Sequence, residues 1–390
     1  MPDSGARDAE REITPTGLGP GGDAVARDAD GSIVSVHGGI PGEPVRVRVM
    51  ARRHGVVHAK AVEVLDRSPD RVRPPCPEVG HGCGACQWQH IDLDAQRELK
   101  RALVADVLGL KDGTASQLLR ATVALDATGF RTTVHAAVAD GRAGFRRHRS
   151  HRVVEVDECL VAHPLVEELV VHGRYGDADE VLLRCGARTG ERLAAPMPRA
   201  VTMDVPEDVR SDHVHELAAG LRWRVSARSF FQTRPDGVDA LVDAVVAAAG
   251  EIPTGRALDL YSGVGVFAGA LATRGWSVAA VESERSAVED ARHNLRDLDV
   301  AVLRADVGAW KPRRSNLVVA DPSRAGLERR GVDVVSASRA RRVVLISCDA
   351  PSLGRDATML RRAGYSLTSA TPIDLFPHTF HVEVVSVFDR

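Results

Sequence analysis

Three groups near the end of this chain could share covalent chemistry. They are the thiol of Cys348 in LISCDAPSLGRD, the carboxyl of Asp321 in ADPSRAG and the carboxyl of Glu383 in DLFPHTFHVEVVSVF. Cys348 closes an apolar run and precedes a helix-like stretch. Its thiol is therefore expected beside a helix N-terminus, where the positive end of the dipole favours thiolate. A lone cysteine is more often a small buried filler. Here it is expected to share a crevice with Asp321 and a glycine turn. A nucleophile, a carboxyl that orients a ring and a base would then stand together.

The glycine turn lies in DLYSGVGVFAGALA (259–272), which reads as strand, turn and helix. Gly263 and Gly265 permit a tight turn and close approach of a ligand to the backbone. Glu282, Asp306, Asp321 and Cys348 each follow an apolar run, and strand carboxyl ends face the ligand crevice of an open α/β sheet. Glu282 can accept hydrogen bonds from both hydroxyls of a ribose. NAD-binding and methyltransferase folds both carry such a turn. Asp259 ahead of the turn and a short segment before the final strand favour S-adenosylmethionine. A thiolate beside a methyl donor suits methylation of uracil at C5. Thiolate addition to C6 makes C5 an enolate carbon, C5 takes the methyl group, and a base removes the C5 proton so that the thiolate can leave.

A second group of thiols lies in CPEVGHGCGACQWQH (76–90), where Cys76, Cys83 and Cys86 fall within eleven residues. A structural metal usually takes four ligands. The other cysteines outside the crevice are Cys159 in EVDECLVAHP and Cys185 in VLLRCGAR. Four thiolates suit zinc and iron–sulfur alike, and spacing does not choose between them.

The elements that must hold these groups can be read along the chain. A length of 390 residues implies two or three domains, and 44% hydrophobic with 27% charged residues is a soluble globular composition. No secretory signal is visible at the start, and the longest apolar runs are too short to span a bilayer. A cytoplasmic protein is expected, as a monomer and without membrane attachment; clustered thiols there bind metal more often than they form disulfides. The net charge of −2 gives no global nucleic-acid signal, although RVRVMARRH (46–54) and GRAGFRRHRSHR (141–152) are locally basic. Residues 1–10 read as a disordered tail. Residues 11–66 alternate short β runs with glycine turns, which predicts a small β-barrel. Residues 67–226 read as a central mixed α/β domain. It begins with a proline-rich linker and contains an amphipathic helix over 93–110, a candidate to pack on the catalytic domain, and β runs HRVVEVDECLV, EVLLRCGAR, AVTMDV and LRWRVSA. Residues 227–390 form the last domain. From 256 onward its strands and helices alternate, which predicts a doubly wound, mainly parallel sheet.

In order along the chain, TGLGPGGDAVARDADG, CPEVGHGCGACQWQH, FFQTR, DLYSGVGVF, DPSRAG, SCDAPSLGRD and DLFPHTFHVE resemble the RNA uracil-5 methyltransferase family over nearly the whole chain. The resemblance implies an N-terminal TRAM (OB-like) barrel and a C-terminal class I methyltransferase fold. It implies Cys348 as nucleophile and Glu383 as base. Gln232, Tyr261, Glu282 and Asp321 would contact S-adenosyl-L-methionine, with Gly263 and Asp306 on the same side of the crevice. Asp321 would also lie near the target base, Phe230 would stack on a flipped uracil, and Arg324 and His378 would shape the site. Cys76, Cys83, Cys86 and Cys159 match the family's [4Fe-4S] ligands, with zinc as the alternative. RNA is the implied partner, 23S ribosomal RNA ahead of the tRNA T-loop. Three positions depart from the family pattern: Arg234 and Val266 stand where asparagine is usual, and Asp349-Ala350 follows the nucleophile in place of Asn-Pro. They support a second reading, an RNA-binding protein of the same descent with weakened catalysis. A cytosine-5 methyltransferase is disfavoured because DPSR holds no cysteine, and an NAD oxidoreductase is more remote.

Overall fold

The computed structural model describes residues 10–19, 21–198 and 201–390. The expected tail falls on residues 1–9, outside the described residues, except for Glu10, which already pairs with Arg48 in a strand. Six strands build the first sheet: β1 (Glu10–Ile13), β2 (Gly17–Leu18), β3 (Ala24–Arg27), β4 (Ile33–His37), β5 (Val45–Arg53) and β6 (Val56–Val64). Their order is β1-β5-β6-β4-β3-β2. The alternation of β5 turns Val45, Val47 and Val49 inward against Ile13, Val34, Val36, Val57 and Ala59. This gives a curled sheet with its own core.

The two basic stretches are less free than their sequence implies. Arg46 pairs with Glu12 (3.0 Å) and with Glu63, and Arg48 pairs with Glu10 at 2.8 Å. Arg142 pairs with Glu155 (3.1 Å), Arg146 with Glu180 (2.6 Å) and Arg149 with Asp23 (3.1 Å). Neighbouring strands and Asp23 bring acids from elsewhere in the chain to these arginines.

After the linker come α1 (Glu78–His81) and α2 (Leu93–Leu108). The central sheet follows with β7 (Thr133–Ala139), β8 (Arg142–Arg146), β9 (Val153–Glu155), β10 (Glu180–Cys185), β11 (Arg192–Met197) and β12 (Val209–Arg210), in the order β12-β11-β10-β7-β8-β9. Helix α3 (Pro164–His172) lies between β9 and β10 in the chain. Val166, Leu169 and Val170 from α3 join Val134, Val181 and Leu183 in the core beneath this sheet. AVTMDV forms no strand where it is described: Asp204 makes only an isolated bridge to Arg174.

Hairpin β13 (His213–Ala218) and β14 (Leu221–Ser226) follows, then α4 (Pro235–Gly250), β15 (Arg256–Leu260), α5 (Val266–Ala272), β16 (Ser277–Glu282), α6 (Arg285–Asn294), β17 (Val300–Arg304), β18 (Leu317–Ala320), α7 (Glu328–Ser338), β19 (Arg342–Ser347), α8 (Ala350–Arg362), β20 (Ser366–Ile373) and β21 (Glu383–Asp389). The seven-stranded order is β17-β16-β15-β18-β19-β21-β20, parallel through β19 and antiparallel at β21. Strands such as VVLIS are apolar on both faces because helices cover both. One face packs α4, α5 and α6. The other packs α7, α8 and, from 150 residues upstream, Val104 and Leu108 of α2. Lys100 of α2 is wholly buried and reaches the buried carboxylate of Asp374 at 2.7 Å. Trp223 and Val225 of β14 also belong to this domain's core, so the core reaches back across the boundary expected at 226/227. No helix among the described residues is long and apolar enough to cross a membrane.

Candidate active site

The carboxyl ends of β15, β16, β18 and β19 point to one edge of the sheet, and the chain there is built for close approach. Tyr261 leaves β15 with φ of 62°, in the left-handed region that a bulky residue enters only under strain. Gly263 follows at φ 52°, and a Cβ placed on it would face open space, its nearest neighbour being Phe230 O at 4.0 Å. Glu282 Oε2 accepts from Gly263 N at 2.9 Å, and Oε1 accepts from Ser283 N and Glu284 N at 2.6 and 2.8 Å. The carboxylate at the end of β16 thus pins the glycine turn. Behind the turn, Asp259 is fully buried and accepts from Ala268 N in α5 at 2.8 Å, while its Oδ1 has no partner. Burial pushes this carboxyl up to about 8.

A cleft of about 460 Å³ opens beside this turn, lined by Phe230, Phe231, Gln232, Tyr261, Ser262, Gly263, Val264, Val266, Phe267 and Asp321 among others. Gln232 Nε2 donates to Asp321 Oδ2 at 3.3 Å and ties the FFQ segment to the end of β18. Phe230 is 68% exposed on the rim. A large aromatic left in water beside a polar cleft is an unsatisfied apolar surface. Asp306 is exposed after β17; its carboxylate caps a short turn by accepting from Ala309 N at 3.1 Å, and its charge acts on Tyr261 of the cleft.

Cys348 stands between β19 and α8 at the same edge. Its thiol is pushed up to about 12, first by burial and then by the charges of Glu383 and Asp321, against a lowering by Arg324. The expected thiolate is therefore not the resting state of the unliganded site. Burial, and then the two carboxyls that the tertiary fold brings beside the thiol, oppose the thiolate that the helix end favours. Asp349 is the N-cap of α8, accepting from Ser352 N at 3.0 Å.

Glu383, the first residue of β21, is 2% exposed, and its Oε1 has no partner. Burial, and then the neighbouring charge of Asp321, raise it well above the usual carboxylate range. Burial likewise pushes Asp321 up, opposed by the Gln232 hydrogen bond. Arg324 is exposed in the loop after β18, close enough for its charge to act on both Cys348 and His381.

His378 is 4% exposed with φ of 66° and serves as a backbone junction. Its N donates to Gln96 Oε1 at 2.7 Å, and its O accepts from Trp88 N at 2.8 Å. A second ring in this loop is that of His381, which the sequence reading passed over. It packs against Phe376 and Phe380 and is pushed down to about 4 by burial, then by Arg324. Its place two residues before a strand, near His378 in a loop rich in aromatics, was the available signal.

The departures have structural explanations in two cases. Arg234 is 1% exposed, forks onto Asp236 at 2.7 and 2.5 Å, donates to Asp126 O at 2.8 Å and lies 4.6 Å over Phe130. It anchors the start of α4 and does not line the cleft. Asp349 is the cap described above. Val266 opens α5 and lines the cleft.

Cys76, Cys83, Cys86 and Cys159 line one enclosed pocket in the central domain, while Cys185 is buried elsewhere in that domain's core. None of the six cysteines forms a disulfide. Glu78 braces the pocket, accepting from Asp157 N at 3.0 Å and facing His81 Nδ1 at 2.9 Å. Gln89 Oε1 accepts from Cys76 N at 3.0 Å. Among the four thiols, burial pushes Cys83 up to about 12 and Cys159 to about 11, with the other thiols adding to the rise. Such a donor set is costly to ionise alone and fits a bound cation.

The sheet order, the glycine turn and the crevice at the strand ends define a class I methyltransferase fold. Comparison with known proteins agrees. A tRNA (uracil-54, C5)-methyltransferase of Pyrococcus abyssi, solved with S-adenosyl-L-homocysteine, superposes with a TM-score of 0.77 at 23% identity, over 97% of this chain and 100% of that one. No family model matches the chain. A Streptomyces avermitilis protein named an uncharacterized RNA methyltransferase is 37% identical over 97% of this chain and 98% of its own length. A 23S rRNA (uracil(1939)-C(5))-methyltransferase of Alkalilimnicola ehrlichii is 31% identical over 97% and 96%. The chain belongs to the RNA uracil-5 methyltransferase family.

Proposed function

We infer that the protein methylates C5 of a uridine in RNA with S-adenosyl-L-methionine as donor, and that its substrate is 23S ribosomal RNA. The observation that carries the chemistry is the meeting of Cys348, Glu383 and Asp321 at one sheet edge beside an open cleft with an exposed Phe230. The full-length relatives named for ribosomal RNA favour that substrate; tRNA is the alternative.

The cleft fits the donor by its open glycine turn, the carboxylate of Glu282 at the second strand end and the polar pair Gln232–Asp321. When bound, S-adenosylmethionine supplies an electrophilic methyl group on a cationic sulfonium. Tyr261 and Ser262 shape the turn that holds it. Phe230 stacks on the flipped uracil, and Arg324 holds RNA at the mouth. Cys348 Sγ, once deprotonated, bonds to C6 and leaves C5 nucleophilic. Burial raises the pKa of Asp321, and in its protonated form it can donate a hydrogen bond to the developing enolate. After C5 is methylated, Glu383 as carboxylate takes the C5 proton. The electrons re-form C5=C6 and expel the Cys348 thiolate.

The four central thiols would hold a [4Fe-4S] cluster, or zinc, as a brace for the central domain. No catalytic step needs it.

The test uses labelled S-adenosylmethionine with ribosomal RNA and tRNA from a strain lacking the protein. Wild type is expected to label 5-methyluridine in 23S RNA. Cys348→Ala should form neither product nor adduct. Glu383→Gln should slow turnover by about 10²–10⁴ and accumulate a denaturant-resistant protein–RNA adduct. Label in tRNA alone would move the substrate; label in 5-methylcytidine would overturn the uracil reading. Tight RNA binding without label would favour weakened catalysis.

A further inference from the structure

Where the first sheet meets the central domain, one buried carboxylate gathers side chains from separate elements. Asp23, just before β3, accepts from Ser35 Oγ on Oδ2 at 3.0 Å, and its Oδ1 lies 3.2 Å from His37 Nδ1. His148, in the connection from β8 to β9, stacks on His37 with ring centroids 4.0 Å apart and planes at 12°. Its Nε2 is buried and has no hydrogen-bond partner. One ligand atom from each of Asp23, His37 and His148 lies within 4.8 Å of the others. Arg149 reaches Asp23 Oδ2 at 3.1 Å and donates to His58 Nδ1 at 2.5 Å.

We propose that Asp23, His37 and His148 form a site for a divalent transition cation of the zinc class, which ties the first sheet to the central domain. Two imidazoles and one carboxylate are a borderline donor set that suits zinc and disfavours magnesium or calcium, which take oxygen ligands. Metal–ligand bonds of about 2.0–2.2 Å need donor atoms roughly 3.4 Å apart; the donors now lie within 4.8 Å of one another, and the stacked rings have to turn out of parallel for both lone pairs to meet one ion. His148 sits on a connection and can turn its unpartnered Nε2 toward the ion. Ser35 holds the carboxylate from behind, as outer-shell donors do in metal sites. Arg149 now supplies the positive charge beside Asp23. Its side chain is 46% exposed and can swing into solvent when a cation enters. None of these residues is one of the four central thiols or lines the methyltransferase cleft.

The test uses the untagged full-length protein with its cysteine site already loaded, titrated with Zn²⁺ and with Co²⁺. One further equivalent is expected, and its Co²⁺ form should show d–d bands without a thiolate-to-cobalt charge-transfer band. His148→Ala and Asp23→Asn should each abolish that equivalent, and Ser35→Ala should weaken it about tenfold. Circular dichroism and melting confirm that each variant is folded, and His37→Gln replaces any that is not. Equal uptake by wild type and folded variants, or a charge-transfer band on the extra equivalent, would overturn the site.

Discussion

Cys348 illustrates how a residue's chemistry is set by neighbours that its sequence does not announce. Its position before α8 was legible, and so was the pairing of its segment with DPSRAG and DLFPHTFHVE. The direction of its pKa was not, because Glu383 lies 35 residues on and meets the thiol only through the antiparallel return of β21. A thiol held up to about 12 is protonated at neutral pH. Site-resolved alkylation of the free protein should therefore be slow at pH 7 and accelerate as pH rises. Arg324→Gln removes a cation that lowers the thiol pKa, so it should slow alkylation at a given pH severalfold. Glu383→Gln removes a carboxylate that raises it, so it should speed alkylation wherever that carboxyl is ionised. Equal rates in all three proteins would mean that neither side chain acts on the thiol. Asp349, which departs from the family pattern beside the nucleophile, is explained by the helix it caps. Arg234 has the same lesson: its partner Asp236 was two residues away in plain view, but its burial over Phe130 was not.

The helix α2 carries the clearest element-scale consequence. Its amphipathic pattern was readable, and its bounds came close to the expected 93–110, ending at Leu108 before Gly109 at φ 71°. What its apolar face covers could not be read from periodicity, which gives a face but no partner. The answer is α8 and the edge strand β20 of the last domain, secured by the buried Lys100–Asp374 pair, with Arg97 3.2 Å from the same carboxylate and Lys100 also donating to Phe376 O at 3.0 Å. Removing Lys100 leaves the buried Asp374 carboxylate with only the partly exposed Arg97 as a charged partner. Lys100→Met should destabilise the protein by about 3–5 kcal/mol in chemical denaturation, and a change below about 1 kcal/mol would mean the pair behaves as a surface one. The strands around it were legible because parallel strands buried on both faces read as continuous apolar runs. β7 was missed: TVHAAVA mixes alanines and a histidine, and only its place between β8 and β10 makes it a strand. AVTMDV erred the other way, since Met203 and Val205 pack on the central core without a strand partner.

At the scale of the whole molecule, the three folding units meet at Trp88. Its ring nitrogen donates to Gly22 O of the first sheet at 2.8 Å, its backbone N donates to His378 O at 2.8 Å, and its carbonyl accepts from Gln96 of α2 at 3.0 Å. Trp88 is two residues beyond Cys86, so the cysteine pocket is coupled by a short rigid path to the loop that leads into Glu383. Anaerobic purification followed by iron, sulfide and zinc analysis should find a bound group, and removing it with a chelator should lower the melting temperature of wild type. Cys159→Ala should prevent loading and melt at the lowered temperature. Iron with sulfide would identify a cluster and zinc without sulfide the alternative; no metal, with a melting temperature unmoved by chelation, would remove the brace altogether. The crossing of α2 onto the last domain also has a consequence for biosynthesis. The roughly 150 residues between α2 and β15 take about 7–30 s to synthesise at typical elongation rates. Over that interval Val104 and Leu108 have no sheet to cover, and a nascent chain halted within it would present an apolar helix face to chaperones.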